Sequence, residues 1–240
     1  MSEKLFIVMP AYNERDNISE VVSQWHKVCE YVCRVDMEAY MVIANDGSKD
    51  DTFTILKELQ HAYPFLIALD KPNSGHGATV LYLYRYALEH GATYIFQTDS
   101  DGQTSVDDFW QMWELRSMAP FHIGVRNDRQ DGFSRVVVTR VLRFIILCVF
   151  GVWVKDANTP FRLMCAKDLS AIMSVIPEDF FLANVAISAI ALKRKYLVKW
   201  YPITFLPRQG GVNSINLYRI MKIGAQALKD LRLINKKVSE

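Results

Sequence analysis

The 240-residue sequence has no apolar run long enough to cross a membrane. Its longest, FIILCVFGVWV at 144–154, has eleven residues, whereas a membrane-spanning helix needs about 20. The N-terminus also lacks a basic segment followed by an apolar stretch, so no signal peptide is expected. These two absences predict a cytoplasmic protein whose membrane contacts, if it makes any, are peripheral.

Two nucleotide-binding motifs and the common cysteine motifs are missing as well. The absence of GxxxxGK[ST] excludes a P-loop NTPase, and the turn after the first apolar run lacks GxGxxG, which disfavours a dinucleotide-binding Rossmann site. The four cysteines form neither a CxxC pair nor a zinc-finger spacing. A net charge of +2 is too small to indicate nucleic acid as a partner. None of these classes fits the chain.

The sequence does contain short apolar runs that alternate with longer helical patterns. Half of its residues are hydrophobic, which suits one large α/β domain. Strands are predicted at 4–10, 40–46, 65–70, 93–99 and 121–126, with one more strand-like segment at 196–207 in a mostly helical second half. Such alternation predicts a mainly parallel sheet covered by helices on both faces.

Polar segments follow five of these strands, namely PAYNE, NDGS, DKPNSGHG, DSDGQ and RNDR. In parallel α/β sheets ligands bind beyond the carboxyl ends of the strands. Asp99 and Asp101 repel each other unless a cation lies between them, and hard carboxylate oxygens with Gln103 nearby favour Mg²⁺ or Mn²⁺ shared with phosphates. Asp46 could accept hydrogen bonds from a base or ribose, and Ser48 is predicted to cap the next helix.

Several motifs in one order resemble glycosyltransferase family 2. They are IVMPAYNERDNI, VIANDGSKDDT, NSGHGATV, TDSDGQ, VKDANTPFRLM and PRQGGVNSIN. The sequence is most similar to the dolichyl-phosphate mannose synthase-like branch, which includes bacterial polyprenyl-phosphate hexosyltransferases, and the resemblance spans Lys4 to Asn216. It implies a GT-A fold, a nucleotide-sugar donor, a divalent metal and inversion at the anomeric carbon.

The resemblance also implies roles for individual residues. Those that match its nucleotide-binding positions are Pro10, Tyr12, Glu14, Asp46 and Asp99. Those that match its metal motif are Asp99, Asp101 and Gln103. Arg126 and Arg135 match cations near phosphates, and Arg208 and Ser214 match a glycine-containing segment that closes over the donor diphosphate.

The acceptor is left open between two classes. A phosphate acceptor is already ionised and needs cations to position it, and the arginines beside 144–154 suit a polyprenyl phosphate at a membrane. A saccharide hydroxyl would need a general base. Glu178 and Asp179 loosely resemble the acidic pair that supplies one, and Asp156 matches the acid before the FR motif. Asn184 stands where many synthases carry an acid.

The charge distribution divides the chain into two parts. Residues 215–240 carry six Lys/Arg against two acids, which predicts a basic amphipathic helix after a GT-A domain at 1–214. Such a helix suits packing on the domain or contact with an anionic membrane. We therefore expect a hexosyltransferase, peripheral at the inner face of the membrane, with a nucleotidyltransferase as the rival class. That rival ordinarily has a glycine-rich basic first loop, which PAYNERDN is not.

Overall fold

The structure is a computed structural model that describes residues 2–34, 37–126, 133–206 and 217–239, without the side chains of 133–139 and 217–223. The strands in this part are β1 Lys4–Ala11, β2 Glu38–Asp46, β3 Leu66–Lys71, β4 Tyr94–Gln97, β5 Phe121–Arg126, β6 Arg162–Cys165 and β7 Val198–Ile203. The α-helices are α1 Ile18–Cys33, α2 Thr52–Ala62, α3 His76–Glu89, α4 Asp107–Glu114, α5 Phe133–Phe150, α6 Ala166–Met173, α7 Ala183–Lys193 and α8 Leu217–Ser239.

The strands form one sheet in the order β3-β2-β1-β4-β6-β5-β7. β1 pairs in parallel with β2 and β4, β2 with β3, and β5 with β7. β6 is antiparallel to both β4 and β5. The predicted mainly parallel sheet is confirmed, and the parallel strands end at one rim.

The second half of the chain holds a strand that the sequence pattern did not predict. β6, with the sequence RLMC, has no β-branched residue and only four positions, so its local propensity is weak. It is extended because it fills the gap between β4 and β5 and bonds to both.

The prediction for Ser48 as the cap of α2 was wrong. The N-cap position of α2 is Asp51, whose side chain makes no capping hydrogen bond, and the Ser48 hydroxyl accepts a hydrogen bond from the Asn13 amide.

Hydrophobic cores cover both faces of the sheet. Along β1, Phe6 and Val8 belong to the core with α3, α5, α6, α7 and α8, whereas Leu5 and Ile7 belong to the core with α1, α2 and α4. This alternation follows from the two-residue period of a strand. Trp25 of α1 anchors the second core. Because helices pack on both faces, they hold the strands in place and thereby position the loops that follow the strands at the rim.

The C-terminal helix α8 packs on the domain. Its residues Leu231 and Ile234 are buried in the same core as residues of α5 and α7, and Ala227 is also buried. Asn235 donates a hydrogen bond to the Val149 carbonyl. Within the described part of the chain, no helix is long and apolar enough to span a membrane.

Candidate active site

A cavity of about 470 Å³ opens at the rim, beside the carboxyl ends of the adjacent strands β1, β2 and β4. Its lining comprises Pro10, Ala11, Tyr12, Glu14, Asp46, Asn73, Gly75, His76, Asp99, Ser100 and Asp101. The strand order reverses at β1, the position in open α/β sheets where ligands bind. The structure therefore brings together the residues predicted from the polar segments after β1, β2 and β4.

The turn after β4 holds Asp99 and Asp101 on either side of a buried serine. The Ser100 hydroxyl donates to the Pro10 carbonyl at 2.8 Å, which fixes the turn to the end of β1. Asp101 Oδ1 accepts the Gln103 amide at 3.1 Å. Both carboxylates are only partly buried. The pair is thus held at the cavity wall, within reach of a bound ligand.

A histidine that the sequence analysis considered only as part of the NSGHG segment contacts the first of these acids. His76 Nε2 lies 3.0 Å from Asp99 Oδ1, at the N-terminus of α3. Burial alone would lower the pKa of His76, but Asp99, and then Asp101 and Asp46, outweigh it and raise that pKa above its ordinary value. A proton on His76 is therefore one source of positive charge beside the acids.

Asp46, predicted as a base or ribose acceptor, lines the cavity but already has protein partners. Its carboxylate accepts Lys71 Nζ at 2.6 Å and the amides of Ser74 and Gly75 at 2.9 Å each. Burial would raise its pKa, but these bonds, with one from Thr79, lower it overall. Asp46 therefore holds the 72–75 turn in place against the cavity.

The PAYNE segment crosses the same cavity. Tyr12 is 42% exposed, so its ring is available for stacking. Glu14 is mostly buried, and its Oε2 accepts the Asn17 side-chain amide at 2.8 Å near the start of α1.

Gly47, in the loop after β2, has φ of +66°, and a Cβ there would lie 2.8 Å from the Asn73 amide nitrogen. This glycine is therefore needed for the close approach of the second and third loops.

Gln103, which the resemblance places near the metal, has a different contact here. Its side-chain amide donates to the Leu206 carbonyl at 2.9 Å, and the Leu206 amide donates to the Gln103 carbonyl at 2.7 Å. These two bonds fasten the turn after β4 to the segment after β7. Gln103 is thereby a tether between the two segments.

At the β5 side of the rim, Arg126 and Asp156 form a bidentate ion pair. Arg126 Nε and Nη2 lie 3.0 Å and 3.1 Å from the two carboxylate oxygens. Asp156 is 1% exposed, and the Arg126 guanidinium also lies over the Phe205 ring. The structure thus pairs Arg126, which was predicted to lie near phosphates, with Asp156, which was predicted as an acid of the site. The two hydrogen bonds hold the guanidinium plane in one orientation.

Close to this pair lies Arg162, a fully buried residue for which the sequence pattern predicted no role. It donates to the carbonyls of Ala157, Thr159 and Asn184 and to the Ser188 hydroxyl. Burial lowers its pKa to about 10. Arg162 therefore fixes both the segment after Asp156 and the start of α7.

Two of the remaining predicted residues are described and do not line the cavity, and three lie wholly or partly outside the described residues. Glu178 and Asp179 are exposed on the turn before α7, where Glu178 is 3.6 Å from Arg85. Arg135 belongs to α5, but its side chain is outside the described residues, as are Arg208 and Ser214 altogether. Among the described residues, no three His, Cys, Asp or Glu side chains are grouped to hold a metal.

Comparison with known proteins identifies the class of protein to which this fold and site belong. The family described as "Glycosyl transferase family 2" matches residues 6–138, more than half of the chain. The chain belongs to this family and is a glycosyltransferase, as the motifs predicted.

Two curated relatives carry the resemblance to the polyprenyl-phosphate branch. Polyprenol monophosphomannose synthase of Mycolicibacterium smegmatis is 23% identical over 90% of this chain and 82% of its own length. UDP-N-acetylglucosamine--dolichyl-phosphate N-acetylglucosaminyltransferase of Methanococcus voltae is 25% identical over 85% of this chain and 86% of its own length. The predicted resemblance to this branch is confirmed.

Solved structures match the fold. Glucosyl-3-phosphoglycerate synthase of Mycobacterium tuberculosis, in complex with Mn²⁺, uridine-diphosphate and phosphoglyceric acid, aligns with a TM-score of 0.62 at 12% identity, covering 97% of this chain and 78% of that one. S. aureus TarS residues 1–349 align with a TM-score of 0.56 at 15% identity over 93% of this chain and 64% of that one. The GT-A fold prediction is confirmed.

Proposed function

We propose that this glycosyltransferase moves a hexose from a UDP- or GDP-sugar to a polyprenyl phosphate at a membrane surface, with inversion at the anomeric carbon. The observation that carries the proposal is the placement of two different groups on one rim. A cavity with two carboxylates lies at the ends of β1, β2 and β4, and an oriented arginine lies at the end of β5. The first suits a nucleotide sugar and the second suits an anionic acceptor.

The oxygen ligands that line the cavity suit Mg²⁺ or Mn²⁺. Asp99 and Asp101 offer hard oxygen ligands on a turn anchored by Ser100. Two protein carboxylates leave the other ligand positions to diphosphate oxygens and water, as is usual for Mg²⁺ at phosphate sites. A bound divalent cation would neutralise charge on the departing nucleotide diphosphate.

Other side chains of the cavity position the donor in this proposal. Tyr12 stacks on the base with its exposed ring. Asp46 acts through the 72–75 turn, because its carboxylate already binds Lys71 and two amides of that turn. Glu14 orients the segment before α1. The Pro10 carbonyl accepts the Ser100 hydrogen bond that anchors the turn carrying Asp99 and Asp101. Arg208 and Ser214 remain a proposed lid outside the described residues.

A phosphate acceptor is supported by the charge arrangement at β5. Asp156 is buried and paired with Arg126, so its carboxylate is committed to orienting a cation. Glu178 and Asp179 are exposed on a turn away from the cavity lining. An ionised phosphate needs no base. In this proposal Arg126 donates to it from the N–H groups that Asp156 does not engage, and Arg135, nine residues further along the chain, is a second cation. The names of the two curated relatives agree with such an acceptor.

The experiment that tests this function uses purified enzyme, Mn²⁺, labelled UDP- and GDP-sugars and undecaprenyl phosphate. We expect labelled product to partition into organic solvent. Asp99→Asn and Asp101→Asn should each lower turnover by about 100-fold or more, because metal charge stabilisation is worth several kcal/mol. Asp107→Asn is the matched control, since that exposed acid lies nearby on α4 outside this cavity.

Full activity of Asp99→Asn or Asp101→Asn would overturn the metal assignment. Product that forms only with a saccharide acceptor and disappears in Glu178→Gln or Asp179→Asn would favour the hydroxyl-acceptor alternative. Release of pyrophosphate from a nucleoside triphosphate would instead favour a nucleotidyltransferase. On the main proposal, residues 1–214 form the catalytic domain, and 215–240 form a helical extension that keeps it peripheral to the inner face of the membrane.

A further inference from the structure

His76 is the first residue of α3, and the backbone on both sides of it is fixed. The amide of Gly75, the residue before it, donates to Asp46 Oδ2 at 2.9 Å. Gly77, the residue after it, packs so closely on the turn before α7 that a Cβ would lie 2.7 Å from the Phe180 carbonyl oxygen. Because neither neighbour can shift without losing these contacts, the imidazole reaches the cavity from a fixed point.

The acid that this histidine contacts is anchored in the same way. Asp99 lies directly after β4, between two residues that bond to the end of β1. The Thr98 amide donates to the Val8 carbonyl at 3.2 Å, and the Ser100 hydroxyl donates to the Pro10 carbonyl at 2.8 Å. The contact between the histidine and this acid therefore joins two anchored backbone segments, whose separation is set by the fold.

The contact engages only one oxygen of the Asp99 carboxylate. His76 Nε2 lies 3.0 Å from Oδ1, and the histidine is the donor because an ionised carboxylate can only accept. Within the described part of the chain, no protein donor bonds to Asp99 Oδ2. Asp101 is held similarly, since its Oδ1 accepts the Gln103 amide at 3.1 Å. A donor on one oxygen restrains the rotation of a carboxylate and leaves the lone pairs of the other oxygen for a ligand.

We infer that His76 is a positioning residue for the divalent cation of the proposed function, because its Nε2–H group holds Asp99 Oδ1 and leaves Oδ2 for the metal. The inference rests on the proposed function for the presence of that metal. Groups that hydrogen-bond to a metal ligand fix its orientation, and their loss typically weakens metal binding by about 10–100-fold. Without the histidine, the carboxylate has to be ordered at the moment when the cation binds, which lowers the affinity.

The test is calorimetric titration of UDP and of GDP into the full chain, in EDTA and over a series of Mn²⁺ concentrations. The Mn²⁺ concentration that gives half of the rise in nucleotide affinity measures how tightly the complex holds the metal. His76→Leu removes the donor and keeps an uncharged side chain in its place. We expect this variant to need about 10–100-fold more Mn²⁺.

Two further variants show whether the hydrogen bond is the cause. His76→Gln should stay close to the wild type in its Mn²⁺ requirement, because the glutamine side-chain amide restores an N–H donor. His90→Leu is the matched control. His90 is exposed at the other end of α3 and donates to the Tyr86 carbonyl, so its loss should leave the Mn²⁺ requirement unchanged.

Three readouts separate positioning from a purely structural role or from contact with the substrate. The affinity for nucleotide in EDTA should be the same in His76→Leu and the wild type, since the histidine acts through Asp99. The thermal unfolding midpoint should also stay near that of the wild type, because the His76 side chain is 53% exposed. Turnover of the variant should be low at limiting Mn²⁺ and approach the wild-type kcat at saturating Mn²⁺.

A Mn²⁺ requirement of His76→Leu that equals the wild-type value would overturn the inference. So would a lower requirement, because the histidine would then compete with the cation for Asp99. An equal defect in His76→Gln would contradict the role of the hydrogen bond, and weaker nucleotide binding in EDTA would instead place the imidazole on the diphosphate.

Failure of the proposed function gives separate results. A wild-type nucleotide affinity that does not respond to Mn²⁺ would remove the metal site and this inference with it. A Mn²⁺ response that is lost in Asp99→Asn and unchanged in His76→Leu would remove only the role of the histidine. An enzyme that shows the expected Mn²⁺ series but forms no lipid-linked sugar would contradict the proposed acceptor and support the inference.

Discussion

At the scale of single residues, the rim is built from charged side chains that satisfy one another before any ligand arrives. Arg126 and Asp156 lie 30 residues apart in sequence and form two parallel hydrogen bonds. A buried carboxylate is stable only if its charge is compensated, because removal from water costs several kcal/mol. The pairing with Arg126 therefore supplies the compensating charge that a carboxylate only 1% exposed requires.

The first prediction concerns this pair. Arg126→Met should lower the free energy of unfolding by about 3–5 kcal/mol, because Asp156 is left buried without its arginine. Arg126→Met/Asp156→Leu should regain most of that loss, since the buried carboxylate is removed together with its arginine and Arg162 keeps its carbonyl and hydroxyl acceptors. Urea denaturation of the three proteins measures both effects. A double variant as unstable as the single one would show that charge burial is not the cause.

The second prediction concerns Asp46, whose pKa is lowered on folding by Lys71 and the 74–75 amides despite its burial. A depressed folded pKa adds stability above the unfolded pKa of about 4 and loses it as pH falls further. Asp46→Asn should therefore be less stable than the wild type at neutral pH, by about 1–3 kcal/mol. The gap should close as the pH falls below about 4, in denaturant titrations. A gap that stays constant with pH would contradict it.

At the scale of elements, the N-terminus of α3 is fixed by its contact with the turn before α7. Gly77 packs on the backbone of Phe180 and Phe181, where a Cβ would overlap the Phe181 carbonyl and lie 2.7 Å from the Phe180 oxygen. His76 precedes this glycine and contacts Asp99. The contact between α3 and the turn before α7 thus helps to determine where His76 meets the turn that carries Asp99.

The third prediction uses two helical glycines. Gly77→Ala should destabilise the fold by about 1–3 kcal/mol, because the new Cβ would force the backbone of α3 or of Phe180 and Phe181 out of its packed position. Gly224→Ala in α8 is the control. Nothing lies within 4 Å of its new methyl group, so it should be neutral or stabilising by up to about 1 kcal/mol. Thermal and urea unfolding compare the two. Equal effects would refute the close packing at Gly77.

At the scale of the whole molecule, one core extends from the sheet to the last helix. Leu231 and Ile234 of α8 are buried with residues of α5, α7 and α3. Folding of the sheet with its other helices and docking of α8 are therefore expected to be one cooperative event. The same packing buries Ile146 of α5 and leaves Phe144 on the solvent side of that helix.

The fourth prediction compares neighbours on α8. Ile234 is 1% exposed and Leu233 is 57% exposed. Ile234→Ala should lower the free energy of unfolding by about 2–5 kcal/mol through lost contacts and a cavity. Leu233→Ala should change it by about 0.5 kcal/mol or less. Chemical denaturation followed by fluorescence and circular dichroism should give coincident transitions. Equal costs at the two positions would mean that α8 is not docked as described.

The sequence predicted those parts of the fold that depend on local pattern. Five strands of the sheet follow apolar runs, and Asp99 and Asp101 are adjacent enough that any strand–turn geometry keeps them together. β6 was missed because its extended form comes from pairing with β4 and β5 rather than from its own four residues. His76 was missed because its partner is 23 residues away.

The sequence by itself therefore determined the class of fold, the family and the two carboxylates at the end of β4, since each is written in a short or repeating pattern. Only the tertiary structure decided which charges meet. It paired Asp46 with Lys71, Asp99 with His76 and Asp156 with Arg126. Coulombic and hydrogen-bond energies depend on distances of a few ångströms, and the strand order sets those distances between residues remote in sequence.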